Sequence, residues 1–172
     1  MERSRAGISS MAPRENRVPL EIEEGAADLR SVIGTGALGY LRAGRYAEGL
    51  SAIAEARDLV TLQDEYWWEP ELHRLEGDLV LASGGSSRGL VKKCYQRALG
   101  SAHRHEAKSW ELRAAVSLTR LWHDQGRGAD ARDLLAPVYG WFTDGFDTPD
   151  LKDAKSLLAG WTGSAPGFWR WQ

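Results

Sequence analysis

The segment Leu112–Leu135, LRAAVSLTRLWHDQGRGADARDLL, decides the fold. Leu112, Ala115, Leu118, Leu121 and Trp122 recur at the i, i+3, i+6, i+9, i+10 spacing of one helix face. Gly126 and Gly128 interrupt that stripe, and Ala131, Leu134, Leu135 and Val138 resume it. The pattern predicts a helix, a glycine turn and a second helix. Similar turns lie upstream at Leu41–Tyr46, LRAGRY, and at Ala82–Ser87, ASGGSS. With Gly44, Gly85 and Gly126 as their centres, both intervals are 41 residues. Tyr40, Leu81 and Trp122 each stand four residues before their glycine. Small residues suited to close packing follow each turn: Gly49 and Ala56, then Ala98, then Ala131. Leu72, Leu75, Leu79 and the Val80-Leu81-Ala82 end carry the stripe of the middle unit. One hairpin cannot bury its apolar face alone. The expected architecture is therefore all-α, a stack of about three helix-turn-helix hairpins forming an α-solenoid. Thr148 as N-cap and Pro149 at the first helical position predict a short last helix through Leu151, Ala154, Leu157 and Leu158, ended by Gly160.

The composition agrees. The chain has 22 Ala and 21 Leu against 7 Val and 4 Ile, which favours helix over sheet. Its 172 residues fit one domain, and a net charge of −2 excludes a strongly basic nucleic-acid clamp. The single cysteine, Cys94, excludes an internal disulfide. No apolar run is long enough to span a bilayer. Residues 1–20, with Arg3, Arg5, Arg14 and Arg17 and no apolar signal core, are expected to be a flexible lead-in; Met11 is a second candidate start. The expected division is lead-in 1–20, repeat domain 21–160 and aromatic tail 161–172, in a cytoplasmic protein without membrane or direct nucleic-acid contact.

The turns carry a resemblance. Ala37, Tyr40, Gly44, Tyr46, Gly49, Ile53 and Ala56, and again Leu118, Trp122, Gly126, Ala131 and Leu135, resemble the tetratricopeptide repeat. The middle unit departs, because Ala98 comes into register only with an extra residue in its turn. The strings WEPELHRLEG (68–77), AKSWELRAA (107–115) and PVYGWFTDGFDTPDL (137–151) look like the C-terminal repeat region of large bacterial regulators. Those regulators join a class III adenylate/guanylate cyclase domain, or a winged-helix domain, to a signal-transduction ATPase. The resemblance spans about residues 36–158 and implies a sensor or scaffold module of a signalling system, without the catalytic part.

No catalytic constellation competes with that reading. Gly34-Thr35-Gly36-Ala37-Leu38-Gly39, with Asp58 downstream, matches a dinucleotide fingerprint but lacks the flanking strands, so helix packing is expected. Gly84–Gly89 has phosphate-loop spacing, yet Leu90-Val91 stands where Lys-Ser/Thr is needed. His103, His105 and Glu106 lack further ligands for a metal, and His123-Asp124 lacks a nucleophile. Cys94 shares the helix-face position of Ile53 and Leu135 and is expected to be buried. No cofactor and no metal are expected.

Trp67, Trp110, Trp122 and Trp141 are expected to fill hairpin interfaces. Trp161, Phe168, Trp169 and Trp171 crowd a tail that either caps the last unit or docks on a partner, a second copy of this chain included. The resemblance places a groove along the first helix of each hairpin. Carried over, its lining is Arg42, Arg74, Asp78, Arg113, Arg120, His123 and Asp124. Arginine forks suit carboxylate or phosphate, which implies an acidic peptide or protein partner, with a small-molecule sensor of an anionic effector or nucleotide, in a cyclase- or ATPase-type regulator, as the alternative. An i, i+4 pairing of Arg74 with Asp78 is the ordinary alternative for those two residues.

Overall fold

The computed structural model describes residues 29, 36–84 and 87–160. The lead-in 1–20 and the tail 161–172 lie outside them, and so do Gly34, Gly85 and Ser86. The described residues form seven α-helices and no strand: α1 (Leu38–Arg42), α2 (Tyr46–Gln63), α3 (Glu69–Ala82), α4 (Arg88–Arg104), α5 (Lys108–Asp124), α6 (Gly128–Gly140) and α7 (Pro149–Gly160). A single 3-10 turn, Tyr66–Trp68, leads into α3. The all-helical class thus follows from the Ala/Leu balance and the 3.6-residue stripes.

Glycine ends three of the helices. Gly44, Gly84 and Gly126 have φ of 71°, 71° and 74°, the left-handed conformation that only glycine adopts without a Cβ clash. Each donates its amide three residues back, to Leu41 O at 3.3 Å, Leu81 O at 3.3 Å and His123 O at 2.9 Å. In the outer two turns the next amide closes a longer loop, Arg45 to Tyr40 O at 2.9 Å and Arg127 to Trp122 O at 2.8 Å. The middle turn adds a left-handed residue ahead of Gly85, which lies outside the described residues. Gly84 is left-handed there, and the residue four before it is Val80, half-buried in the core, while Leu81 is exposed at 43%. The turn runs over residues 83–87, against 43–45 and 125–127 in its neighbours, and Ser87 Oγ accepts the Leu90 amide at 3.2 Å to cap α4.

The breaks between hairpins use a different device. Asp64 and Glu106 hold φ of 59° and 53°, and the amides that follow, on Glu65 and Ala107, reach back to Val60 O and Ala102 O. A left-handed non-glycine residue costs about 1 kcal/mol. The apolar stretches on either side over-determine it. α7 begins as expected: the Lys152 amide bonds to Thr148 O at 3.0 Å, and Pro149 needs no donor there.

Every helix packs on the next in sequence. In addition α1 packs on α3, α3 on α5 and α5 on α7, whereas the backbones of α2, α4 and α6 stay more than 8 Å apart, Cα to Cα. Three apolar clusters lie between successive helices. Ile53, Ala56, Val60, Leu72, Leu75 and Leu79 lie between α2 and α3; Val91, Tyr95, Leu118 and Leu121 join α4 to α5; Leu112, Ala115, Leu135, Leu151 and Ala154 join α5, α6 and α7. The small residues picked out in sequence, Gly49, Ala56, Ala98 and Ala131, are all buried. A Cβ on Gly49 would stand 2.6 Å from Leu79 Cδ2, so any larger residue there would have to displace the Leu79 side chain. Thr119, absent from the sequence stripe, is fully buried and donates its hydroxyl to Ala131 O at 3.3 Å.

The tryptophans need a correction. Trp67 and Trp141 are exposed at 43% and 57% and fill no interface. Trp68 does so in place of Trp67, its ring 5.9 Å from Trp110. Trp67 and Trp68 are neighbours on a 3-10 turn, so they point in different directions and only one can face the core. Trp122 is half-buried beneath the Arg127 guanidinium, 4.6 Å from its ring centre.

Candidate functional site

The charged residues expected to line a groove fall on α1, α3 and α5, and the helix contacts bring those on α3 and α5 together. Glu71, Arg74 and Asp78 share one face of α3 at i, i+3 and i+7. Arg74 is only 8% exposed and grips Glu71 with two parallel bonds of 2.8 Å, while its third nitrogen reaches Asp78 at 2.5 Å. Glu71 is 2% exposed and accepts a second cation, Arg113 of α5, at 3.0 Å. Asp78 also accepts the Tyr95 hydroxyl of α4 at 2.7 Å. Burial alone would lower the Arg74 pKa, but Glu71 and Asp78 overcome it and raise it. Burial and the Asp78 carboxylate push the Tyr95 phenol upward, so it stays a donor. Arg74 is therefore internal, and half-buried Asp78 is already engaged by Arg74 and Tyr95.

Farther along α5 the arginines are more open. Arg113 is half-buried, stacks on Trp110 at 5.1 Å and lies 3.8 Å from Asp150 of α7. Arg120 is exposed and bonds both oxygens of Asp153 of α7, at 2.5 and 2.7 Å. His123 and Asp124 are exposed at the end of α5, 3.8 Å apart. Arg42 is exposed at the last turn of α1, and no ion pair among the described residues joins it to the others. The charged residues thus run from Glu71 and Asp78 around Arg74 on α3, through Arg113 and Arg120 on α5, to Asp150 and Asp153 on α7. Sequence reasoning missed Glu71, Tyr95, Asp150 and Asp153. The i, i+3 spacing of Asp150 and Asp153 is visible in the sequence, but their partners are not.

A second polar cluster fixes α3 against its other neighbours. The Arg57 guanidinium of α2 pairs with Glu76 and lies 3.0 Å from His73 Nδ1. His73 and Arg57 hold the Glu76 carboxyl down to about 2. Glu69 accepts the Ser101 hydroxyl and meets Arg104 at 3.3 Å and His105 at 3.9 Å. Cys94 is fully buried, as expected from its register with Ile53 and Leu135; burial and the nearby Glu76 push its thiol up to about 11, so it is no nucleophile at neutral pH.

Glu76 makes this cluster pH-dependent. Its folded pKa lies below its ordinary 4.5, so its stabilising contribution is complete above about 4.5 and disappears as pH falls through about 2. Thermal melts between pH 7 and pH 2 are expected to show a steep loss in that window, and Glu76→Gln is expected to flatten it while lowering the neutral-pH melting temperature. An unchanged slope would remove Glu76 from the account.

The other sequence motifs dissolve. Gly36–Arg42 is helical, Ala37 is buried, Leu38 packs against the core beside it, and Gly39 has open space where a Cβ would go. Asp58 is exposed on α2. His103 and His105 pair with Glu111 and Glu69 on different helices, and no group of three metal-ligating side chains occurs among the described residues. An open depression of about 310 Å³ lies between α1 and α2, lined by Tyr40, Ala47, Glu48, Ser51, Ala52 and Glu55. Its two carboxylates repel an anion. No helix of the described residues is long and apolar enough to cross a membrane. No protein-family model, curated protein or solved structure matches the chain.

Proposed function

We propose that this chain is a non-catalytic, tetratricopeptide-like repeat module of a bacterial regulatory system, and that it holds an acidic segment of a protein partner on the α5 arginines. The observation that supports it most directly is the charge layout of the odd-numbered helices. Arg113 and Arg120 lie two turns apart on α5 and take carboxylates from a neighbouring helix, which is the chemistry an acidic peptide would offer. Two further features favour repeat stacking: odd helices whose backbones approach one another more closely than those of the even ones, and left-handed glycines at the turns. In this reading a row that packs more closely on one side curves toward that side, with α1, α3, α5 and α7 as its inner face. The carboxylates of the depression beside α2 speak against an anionic effector there. Within this reading a cyclase or ATPase activity belongs to another polypeptide or domain.

The test uses a fluorescein-labelled oligoglutamate peptide as probe and fluorescence anisotropy as readout. Arg113→Gln with Arg120→Gln is the suitable variant, because Glu71 keeps its Arg74 fork and no like charge is placed beside it. Salt-sensitive binding by the native chain, weakened about tenfold or more in the variant, is the expected result. Equal binding by both would overturn the proposal.

A further inference from the structure

We propose that Asp150 and Asp153 of α7 are a built-in competitor for the α5 arginines, so that an external acidic segment binds by displacing carboxylates of the chain itself. The inference rests on the reading that Arg113 and Arg120 form the binding strip. The two acids stand one turn apart on the face of α7 that meets α5, and each lies on a different arginine: Asp150 at 3.8 Å from Arg113, Asp153 at 2.5 and 2.7 Å from Arg120. In geometry α7 presents what an acidic helical ligand would present, carboxylates at i and i+3. Its backbone does not have to leave for a ligand to enter. Leu151 and Ala154 anchor α7 in the core, whereas Asp150, Asp153 and Arg120 are all well exposed. Exposed pairs of this kind exchange partners at little cost. Glu71 behaves differently. It is buried, held by Arg74 as well as Arg113, and cannot swing away, so it positions Arg113 without competing for the other arginine. The partner that fits is an acidic segment with at least two carboxylates about one helical turn apart, and its affinity is set below what the bare strip would give.

The test compares oligoglutamate binding by the native chain, Asp150→Asn/Asp153→Asn, Asp153→Asn alone, and Glu55→Gln/Asp58→Asn, two exposed acids on α2 that change the net charge equally. The α7 double variant is expected to bind about threefold to tenfold more tightly than the native chain, and Asp153→Asn part of the way, with melting temperatures close to native. The α2 control is expected to stay near native affinity. Binding by the α7 variants alone, with none by the native chain, would support the inference in its strongest form. An equal gain in the α2 control would overturn it, since net charge would then account for the effect. Native affinity in both α7 variants, while Arg113→Gln/Arg120→Gln still loses the probe, would overturn it and leave the binding strip standing. No binding by any chain would overturn both.

Discussion

Arg74→Met is expected to destabilise the fold by about 3–5 kcal/mol, the loss that follows when one partner of a buried ion pair is removed. Arg74 is nearly enclosed and satisfies two carboxylates at once. Without it Glu71, at 2% exposure, keeps only the Arg113 contact at 3.0 Å, and Asp78 keeps only the Tyr95 hydroxyl. A buried carboxylate with too few donors must take up a proton or draw water into the α3–α5 contact, and either route opens the stack. Domains of this size have about 5–15 kcal/mol in total, so urea unfolding should show a large drop in midpoint at little change in slope. The double variant Glu71→Leu/Arg74→Met separates pairing from packing. Replacing both charges by apolar groups of similar size is often neutral, so the double is expected to be more stable than Arg74→Met alone. A double variant as weak as the single would mean that the guanidinium serves mainly to fill space.

The same network marks how far sequence could be read. The helical hairpins were legible because a stripe at 3.6 residues and a glycine before its resumption are local signals, and the Gly44 and Gly126 turns follow them. In the middle turn Gly84 takes the same left-handed conformation, one residue before the glycine that the equal 41-residue spacing picks out. Asp64 and Glu106 end helices in that conformation with no glycine to announce it, because packing on both sides imposes what propensity resists. In the candidate site, Arg74 with Asp78 was legible as an i, i+4 pair. Its burial was not, since that depends on α4 and α5 closing over α3. Arg120 meets Asp153 33 residues away, and only the α5–α7 contact brings them together. Local pairs can be inferred from spacing; pairs between helices wait on the stacking geometry.

Gly77→Val is expected to cost about 3 kcal/mol, near the upper end for overpacking a close-packed core. Gly77 lies where α3 crosses α4, and a Cβ there would stand 2.5 Å from Tyr95 Cε1 and 2.8 Å from Cδ1. Tyr95 cannot retreat. It is 1% exposed, packs with Val91, Leu118 and Leu121, and its hydroxyl is tied to Asp78 at 2.7 Å. Moving the ring would break that bond and disturb the Arg74 network, so the steric and electrostatic penalties are coupled. Gly77→Ala sets a lower bound. Alanine is favoured over glycine in a helix by about 1 kcal/mol, which offsets part of the clash, so a smaller loss is expected. At Gly39, where a Cβ meets nothing within 4 Å, the same Gly→Ala change is expected to be neutral or stabilising. Melting temperatures in the order Gly39→Ala, native, Gly77→Ala, Gly77→Val, highest to lowest, would establish close approach of α3 and α4 as the reason for Gly77. A Gly77→Ala chain as stable as the native one would show that Tyr95 yields, and the α3–α4 contact would then be looser than its distances indicate.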